Sequence, residues 1–273
     1  MVNNHLIYGI LVNYRATMAS FFSDDHRRNN LPEQYPEGFV YNSANENISS
    51  TVLIKENLQA DIHIVTAIRH LTENTFILRF TRGNMQFRAG QHLIAGIHGE
   101  MDQREYSIYS GENDPFLEIL IREVKGGNIS SKLGQSKPGD ILNINGPFGS
   151  FGIPPRARNT GNLIFIATGT GISPFHSMVR SYPGIEYTLL HGIRFMKETY
   201  ESDTYAPGRY ITCPSQETFN GRKGRVTRYL ADFRLTQEML FFLCGNSSMI
   251  YEVRHILEAR GVASEKIFTE VYF

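Results

Sequence analysis

Between residues 61 and 145, apolar side chains alternate with polar ones at a period of two. Such alternation is typical of strands with one buried face, and turn-forming Gly, Pro, Asn and Asp separate the repeats. The predicted strands cover residues 62–68, 76–80, 93–97, 104–110, 117–124 and 141–145. Six short strands at this spacing predict a small antiparallel β-barrel.

Beyond residue 160 the pattern changes to continuous apolar runs that alternate with helical segments. Strands buried on both faces give such runs, which are typical of a parallel sheet covered by helices. The runs predict strands at 163–167, 187–191, 209–212, 239–243 and 266–273, and helices at 175–182 and 249–260. Either Ser247 or Ser248 is expected to cap the second helix.

These patterns predict a two-domain chain, with an antiparallel β-barrel at 58–156 followed by an α/β domain with a parallel sheet at 157–273. Residues 1–57 are rich in Asn, Ser and charge and have weak periodicity. We expect them to form an N-terminal extension that is partly disordered.

Composition narrows the function classes. Lys plus Arg and Asp plus Glu balance at 27 each, so no overall field attracts nucleic acid. No apolar run approaches the length of about 20 residues that a membrane span needs. The only cysteines, Cys213 and Cys244, form no disulfide framework and cannot hold an iron–sulfur cluster within the chain. We therefore expect a cytoplasmic protein without a metal site.

The segment Arg104–Ser110 places a cation, two aromatic rings and hydroxyl groups on one predicted strand. A guanidinium suits a phosphate, a Tyr ring suits a flat heterocycle, and a Ser can hydrogen-bond a ring edge. Together they would suit a flavin. The alternative is an ordinary amphipathic strand with a surface Arg.

Two glycine-containing loops could approach phosphate groups. Residues 126–133 join glycines to serines where a short helix would begin, and a plain Ser-capped helix is the alternative. Residues 168–174 lie between a predicted strand and a helix, where backbone N–H groups can bind a pyrophosphate. Pro174 suits the first helical position.

Several further candidates fall at carboxyl ends of the predicted parallel strands. The loop at Gly169, Arg194, Cys244 and the C-terminal tail all share this position. Ligands of open parallel sheets bind at this edge, so we expect these residues to surround one site.

Taken in order over about residues 60–273, six motifs resemble those of the ferredoxin–NADP(H) reductase family. They are RxYS at 104–107, GxxS at 127–130, GTGxxP at 169–174, HGxR at 191–194, CGN at 244–246 and Glu-Val-Tyr at 270–272. The resemblance implies an FAD-binding barrel joined to an NADP(H)-binding α/β domain.

By this resemblance, Arg104 would bind a flavin phosphate, Tyr106 would stack on the isoalloxazine and Ser107 would hydrogen-bond its N5 edge. Ser130 would hold the pyrophosphate. The remaining residues implied for the flavin site are Ile108, Gly127 and Ile129.

The resemblance also implies a nicotinamide site, in which Thr170 and its neighbouring glycines take the NADP pyrophosphate. The full implied set is Thr168, Gly169, Thr170, Gly171, Pro174, Arg194, Ser215, Arg225 and Gly245. Cys244 would lie near the nicotinamide C4, and Glu270 would help deliver a proton.

The C-terminal aromatic residues would act as a displaceable lid over the flavin. Tyr272 matches the plant-type ending of the family, but Phe273 extends one residue beyond it. Which ring covers the flavin stays open, and two aromatics that only seal the core are the alternative.

One position departs from the pattern of NADP-specific members. Where they commonly carry Ser-Arg, this chain has Ser215-Gln216, and a Gln supplies no charge for a 2′-phosphate. Arg194, Arg222, Lys223 and Arg225 are close enough in sequence to compensate, and Arg225 fits the pattern best. NADPH is therefore favoured over NADH.

The predicted function is hydride transfer between NADPH and FAD, with single electrons exchanged with a carrier such as ferredoxin or flavodoxin. One alternative is an NADH-dependent flavin reductase or the reductase component of an oxygenase. A second alternative is a non-catalytic flavin-binding subunit.

Overall fold

The computed structural model describes residues 62–124, 126–159, 162–218 and 224–272. The predicted extension at 1–57 lies outside the described residues. The first sheet consists of β1 (His63–Thr72), β2 (Thr75–Thr81), β3 (His92–Ile97), β4 (Gln103–Ser107), β5 (Phe116–Arg122) and β6 (Ile141–Phe148). All its strand pairs are antiparallel, in the order β4-β3-β6-β1-β2-β5. The six predicted strands are confirmed.

The two outer strands of this sheet meet just beyond the end of β4. Ile108 forms an antiparallel bridge with Ile119 of β5, and the Tyr109 N–H donates to the Glu118 carbonyl at 2.7 Å. The sheet thereby closes on itself around apolar side chains such as Leu78 and Leu93, which are fully buried. Closure removes the exposed edges that an open sheet would leave.

The second sheet is parallel and has five strands in the order β11-β10-β7-β8-β9. They are β7 (Leu163–Thr168), β8 (Tyr187–Ile193), β9 (Tyr210–Pro214), β10 (Leu240–Asn246) and β11 (Ile267–Tyr272). The helices are α1 (Asn128–Gly134), which precedes β6, then α2 (Ser173–Ser181), α3 (Val226–Ala231) and α4 (Ser247–Ala259). A barrel followed by an α/β unit with a parallel sheet confirms the predicted fold class.

The start of α4 corrects the predicted cap. The Asn246 side-chain oxygen accepts from the N–H groups of Ser248 at 3.0 Å and Met249 at 3.4 Å. Asn246 is therefore the cap, and Ser247 and Ser248 are the first helical residues, because an Asn side chain bonds these free N–H groups as well as a Ser does. Pro174 takes the second rather than the first position of α2.

Helix α2 joins the parallel sheet to the barrel through hydrogen bonds. The His176 Nδ1 donates to the Tyr109 carbonyl at 2.7 Å, and the Ser177 hydroxyl donates to the Ser110 carbonyl at 2.6 Å. The Arg180 guanidinium makes two bonds, of 2.8 and 3.0 Å, to Asp114. Each bond links α2 to the segment that follows β4, so these two segments have a fixed register.

Apolar packing continues across the same boundary. One buried cluster contains Ile77 and Leu120 of the barrel together with Phe165, Phe175 and Phe242 of the parallel sheet and α2. Complete burial lowers the pKa of His176, which lies in this boundary, to about 4.

Within the described ranges, no helix is long and apolar enough to cross a membrane.

Candidate active site

The end of β4 presents the first three predicted flavin contacts in order of increasing burial. Arg104 is exposed, Tyr106 is half-buried against the barrel core, and Ser107 is only 2% exposed. The Arg104 guanidinium donates one bond, of 2.8 Å, to the neighbouring Gln103 carbonyl. This gradient suits a ligand whose charged end lies in solvent and whose flat end reaches the buried hydroxyl.

The predicted GxxS loop leads into α1, which begins one residue after Gly127. Ser130 Oγ accepts from the Val124 N–H at 3.1 Å, so its own hydrogen can still be donated to a ligand. A Cβ added at Gly127 would lie 3.0 Å from the Val124 carbonyl oxygen, so the turn is tight. Ile129 is buried in the barrel core. Phosphate binding by Ser130 stays a prediction.

Four residues are predicted to take part in the reaction: Ser107, Cys244, Glu270 and Tyr272. Three of them meet at the Glu270 carboxylate. The Ser107 hydroxyl donates to Glu270 Oε2 at 2.9 Å, and Cys244 Sγ lies 3.8 Å from the same oxygen. The other oxygen, Oε1, lies 3.7 Å from His92 Nδ1. The fourth residue, Tyr272, pairs with Asn246 through its backbone in the β10–β11 register. Its side chain, like all of Phe273, lies outside the described part of the chain.

The register of the strands brings together the side chains of His92, Ser107, Cys244 and Glu270. His92 and Ser107 are Cα partners in the antiparallel β3–β4 pair, and Cys244 and Glu270 are Cα partners in the parallel β10–β11 pair. Directly paired residues project to the same face of a sheet. Burial raises the pKa of Glu270, whereas the Ser107 hydrogen bond and the His92 charge lower it. Burial has the larger effect, so the pKa of Glu270 is raised. Glu270 therefore holds a proton more readily than an exposed carboxyl does.

Two glycine loops interlock beside this cluster, at the ends of β7 and β10. A Cβ added at Gly171 would lie 2.5 Å from the Cys244 carbonyl oxygen and 2.6 Å from the Gly245 Cα. Gly245 has φ +130°, and a Cβ there would lie 2.4 Å from Thr168 Oγ1. Only glycine permits this approach at both positions, so the two loops are in direct backbone contact at the edge of the site.

His191, from the HGxR motif, supports the first of these loops. Its Nε2 donates to the Gly169 carbonyl at 2.8 Å, and its Nδ1 accepts from the Tyr210 hydroxyl at 2.7 Å. A carbonyl only accepts, so this pair of bonds requires the neutral Nε2–H tautomer. Burial lowers the pKa of His191 to about 4, which keeps the ring neutral at physiological pH.

A cavity of about 660 Å³ opens at the same strand ends. Its walls contain seven of the nine residues predicted for nucleotide binding: Thr168, Gly169, Thr170, Arg194, Ser215, Arg225 and Gly245. The other two do not line it. Gly171 is buried under the Cys244 backbone, and Pro174 is buried in α2. Whether these residues bind a nucleotide stays a prediction, but the structure brings most of them together.

Two of the cations that line this cavity are paired with acids. Arg194 Nε and Nη2 donate to Glu198 Oε1 at 3.0 and 2.6 Å, and Glu198 Oε2 accepts from the Arg194 N–H at 2.8 Å. Burial alone would raise the pKa of Glu198, but these bonds outweigh it and lower the pKa. Arg225, with a side chain 75% exposed, has Glu252 at 4.0 Å. Arg194 is thus tied to a buried acid, whereas Arg225 is exposed and only loosely paired.

Four residues of the site were not predicted from the sequence: His92, Arg122, Glu198 and Glu252. Arg122 reaches the nucleotide cavity from the end of β5 in the barrel. Glu198 lies four residues after Arg194, a spacing at which opposite charges commonly pair, so this pair could have been found. His92, Arg122 and Glu252 come together only through tertiary packing.

Two family models match the chain, and together they cover more than half of it. An oxidoreductase FAD-binding domain matches residues 63–153, and an oxidoreductase NAD-binding domain matches residues 165–255. The first range contains the barrel, and the second contains every residue that lines the cavity except Arg122.

Characterised relatives include two kinds of reductase. The toluate 1,2-dioxygenase electron transfer component of Pseudomonas putida is 28% identical over 225 residues, which are 76% of this chain and 66% of that protein. The flavodoxin/ferredoxin–NADP reductase of Rhodobacter capsulatus is 26% identical over 247 residues, which are 78% of this chain and 91% of that protein. This chain therefore spans just under two thirds of the first relative and most of the second.

The fold is similar to that of a ferredoxin NADP+ reductase from Neisseria gonorrhoeae, with a TM-score of 0.66, 22% identity, and coverage of 78% of this chain and 98% of that one. The fold, the two matched domains and the relatives agree, so the alternative of a non-catalytic flavin-binding subunit is wrong. The chain belongs to the ferredoxin–NADP(H) reductase-like family of FAD- and NAD(P)-binding oxidoreductases.

Proposed function

We propose that this enzyme transfers hydride between NADPH and FAD and exchanges single electrons with a small carrier such as ferredoxin or flavodoxin. The observation that carries this proposal is the meeting of Ser107 with Cys244 and Glu270, because it joins the barrel strand to the edge of the nucleotide cavity. Hydride transfer requires two ring systems in contact, and this junction is where ligands of the two domains would meet.

The residues at the end of β4 fit a flavin. Arg104 would hold a phosphate, the half-buried Tyr106 ring would support the isoalloxazine face, and Ser107 would hydrogen-bond the ring edge. Ser130, with a free hydroxyl hydrogen, would hold the pyrophosphate. When bound, FAD accepts a hydride from the nicotinamide and gives up its electrons one at a time.

At the nucleotide cavity, Thr170 and the Gly169 backbone would bind the pyrophosphate, and Arg225 would bind the 2′-phosphate. Ser215 lines the same cavity but carries no charge. Arg225 is the better candidate for the phosphate than Arg194, because its guanidinium is exposed whereas Glu198 occupies that of Arg194. Cys244 would face the nicotinamide, and Tyr272 would cover the flavin until the nicotinamide displaces it.

The domain boundaries of this proposal are 58–156 for the FAD-binding barrel and 157–273 for the NADP(H)-binding part. Cys213 and Cys244 are both buried and are not joined in a disulfide, which supports the proposed cytoplasmic location. The relative from Rhodobacter capsulatus, which this chain spans almost completely, supports ferredoxin or flavodoxin as the carrier.

A second candidate is an NADH-dependent flavin reductase or an oxygenase reductase component. The observation that favours it is the pairing of two cavity cations with acids, Arg194 with Glu198 and Arg225 with Glu252. Paired cations attract a 2′-phosphate less strongly than free ones do. The toluate dioxygenase relative belongs to this class of proteins.

Anaerobic titration of the purified FAD-loaded protein with NADPH, and separately with NADH, decides between the two. Bleaching of the flavin absorption at lower concentrations of NADPH would support the first proposal. Preference for NADH would move the enzyme to the second candidate. Failure to bind FAD would contradict both proposals.

A further inference from the structure

The geometry points to His92 as the group that exchanges the flavin-site proton with solvent, acting through Glu270. This inference rests on the proposed function, because it places the flavin edge at Ser107. His92 would not touch the reacting atoms itself. It would position the Glu270 carboxyl and take its proton.

The first support is the division of contacts between the two carboxylate oxygens of Glu270. Oε2 accepts from Ser107 at 2.9 Å and has Cys244 Sγ at 3.8 Å, whereas Oε1 lies 3.7 Å from His92 Nδ1. A carboxyl group bound in this way can accept a proton on the Ser107 side and, after rotation about its last bond, release it on the His92 side. The two oxygens therefore have different partners, one facing the flavin site and one facing the imidazole.

The second support is a gradient of exposure along these three groups. Ser107 is 2% exposed, the Glu270 side chain 15%, and the His92 side chain 22%. A proton that leaves the buried hydroxyl would move to steadily more exposed positions. Imidazole is well suited to the outer position, because histidine changes charge between about pH 5 and 8.

The third support is the packing of neighbouring residues around the His92 imidazole. Gly149 has φ +89°, and a Cβ added there would lie 3.0 Å from His92 Nδ1 and 4.0 Å from Glu270 Oε1. On the other side, the Phe148 ring lies 6.1 Å from the imidazole between centroids. The ring is therefore held close to the carboxylate by the end of β6.

The proton balance requires such a route. Return of the reduced flavin to its oxidised form releases two electrons, which leave singly to the carrier, and one proton from N5. Ser107 would pass a proton to Glu270 and regain one from N5, Glu270 would pass it to His92, and His92 to water. Among the described residues, the groups that affect the pKa of this carboxyl are the Ser107 hydroxyl from β4, the titratable Cys244 from β10 and the titratable His92 from β3.

The test compares His92→Gln with the wild-type holoenzyme. The flavin is reduced anaerobically with dithionite, and its reoxidation by ferricyanide is followed by stopped flow from pH 5.5 to 8. We expect the wild-type rate to fall toward acid pH and the His92→Gln rate to become independent of pH. Above neutral pH the variant should be slower by up to about 100-fold, the lower end for a positioned acid–base group.

A matched control is His98→Gln, which replaces an exposed histidine just beyond the other end of β3. It should keep the wild-type pH profile. His92→Phe keeps a ring against Phe148 but carries no proton, so it should behave like His92→Gln and guards against a variant that fails to fold. Reduction by NADPH should be unchanged in His98→Gln, because this exposed residue takes no part in the cluster around Glu270.

A second measurement does not depend on turnover. In protein labelled with ¹³C-glutamate, the titration of the Glu270 carboxyl should shift to higher pH in His92→Gln, because the His92 charge lowers the pKa of Glu270. A wild-type pH profile in both His92 variants, or an unchanged Glu270 titration, would overturn the inference. Failure of NADPH to reduce the wild type would contradict the proposed function instead, since the dithionite experiment does not use the nucleotide.

Discussion

The two halves of the active site are built by different means. The cluster around Glu270 consists of short side chains on paired strands, and its polar contacts lie within 3.8 Å of one carboxylate. The nucleotide cavity instead has long charged side chains, such as Arg194 and Arg225, on loops and helix starts around about 660 Å³ of space. Backbone register fixes the first half, whereas side chains that can change rotamer shape the second.

Because the two halves are built differently, we expect each to control a different property of the enzyme. The cluster should control the rate of hydride and proton transfer, because small displacements of reacting groups are costly. The cavity should control which nucleotide binds, because charge pairing determines the affinity for a phosphate. Substitutions in the two halves should therefore affect different kinetic parameters.

The largest expected effect is in the cluster. Ser107→Ala and Glu270→Ala should slow flavin reduction by NADPH by about 100-fold, the effect of displacing the reacting rings by about 1 Å, while FAD stays bound. Stopped-flow absorbance measures the rate, and the flavin spectrum measures retention. Ser264→Ala is the control, since this hydroxyl bonds Glu258 at the far end of α4. Unchanged rates in both cluster variants would remove Ser107 and Glu270 from the mechanism.

In the cavity, Arg225→Gln should weaken NADPH binding and leave NADH binding almost unchanged. A charge-assisted hydrogen bond contributes about 1.5–3 kcal/mol, so we expect a loss of roughly 10- to 100-fold in affinity. Equilibrium titration with both nucleotides gives the ratio. Arg254→Gln, an exposed Arg paired with Glu258 on α4, serves as the control. Equal losses for NADPH and NADH would show that Arg225 does not contact the 2′-phosphate.

The junction of the two halves can be tested with Gly171→Ala. The added Cβ would lie 2.5 Å from the Cys244 carbonyl oxygen, so the interlocked loops must separate. Overpacking of this kind costs about 1–3 kcal/mol in free energy of unfolding, measurable by urea denaturation. At Gly152 the nearest atom to an added Cβ is 3.2 Å away, so Gly152→Ala should cost less. Equal stability of the two variants would argue against the tight contact.

The smallest effect is expected in the pH dependence of stability. Burial lowers the pKa of His176 and of His191 from 6.5 to about 4, so the unfolded chain binds protons first as the pH falls. The free energy of unfolding should therefore decrease between pH 6.5 and 4, with less than about 1 kcal/mol per histidine lost from pH 7 to 6.

The His191→Gln variant isolates one of these contributions, because Gln can keep hydrogen bonds but does not titrate in this range. Its free energy of unfolding should change less with pH than that of the wild type. His255→Gln, an exposed position on α4, should retain the wild-type dependence. Parallel curves for the wild type and His191→Gln would show that His191 does not titrate as expected.

Local patterns were sufficient to predict the strands and the helices α1, α2 and α4, but they missed α3. Alternation identified β1 to β6, apolar runs identified β7 to β11, and glycines beside a strand end identified the loop at Gly169. The cap at Asn246 was missed because three neighbouring polar residues can all cap a helix, and only the geometry selects one.

Site residues could be predicted where they lie in a sequence motif. They could not be predicted where only tertiary packing brings them into the site. Ser107, Cys244 and Glu270 lie in motifs, and the structure places them together. His92 begins a strand with no local signal, and it reaches Glu270 only because β3 pairs with β4 and β11 lies across their ends. Such contacts depend on strand order, which the local pattern does not specify.

The hydrogen bonds between α2 and the segment after β4 limit how this protein can be recombined. One helix both follows the Gly169 loop and binds the backbone of Tyr109 and Ser110, two and three residues beyond Ser107. A chimera that takes its barrel from one relative and its nucleotide-binding part from another would separate these partners. Such a chimera would have to take both segments, 109–114 and 173–181, from the same parent. Only then would the nicotinamide and flavin rings keep their alignment.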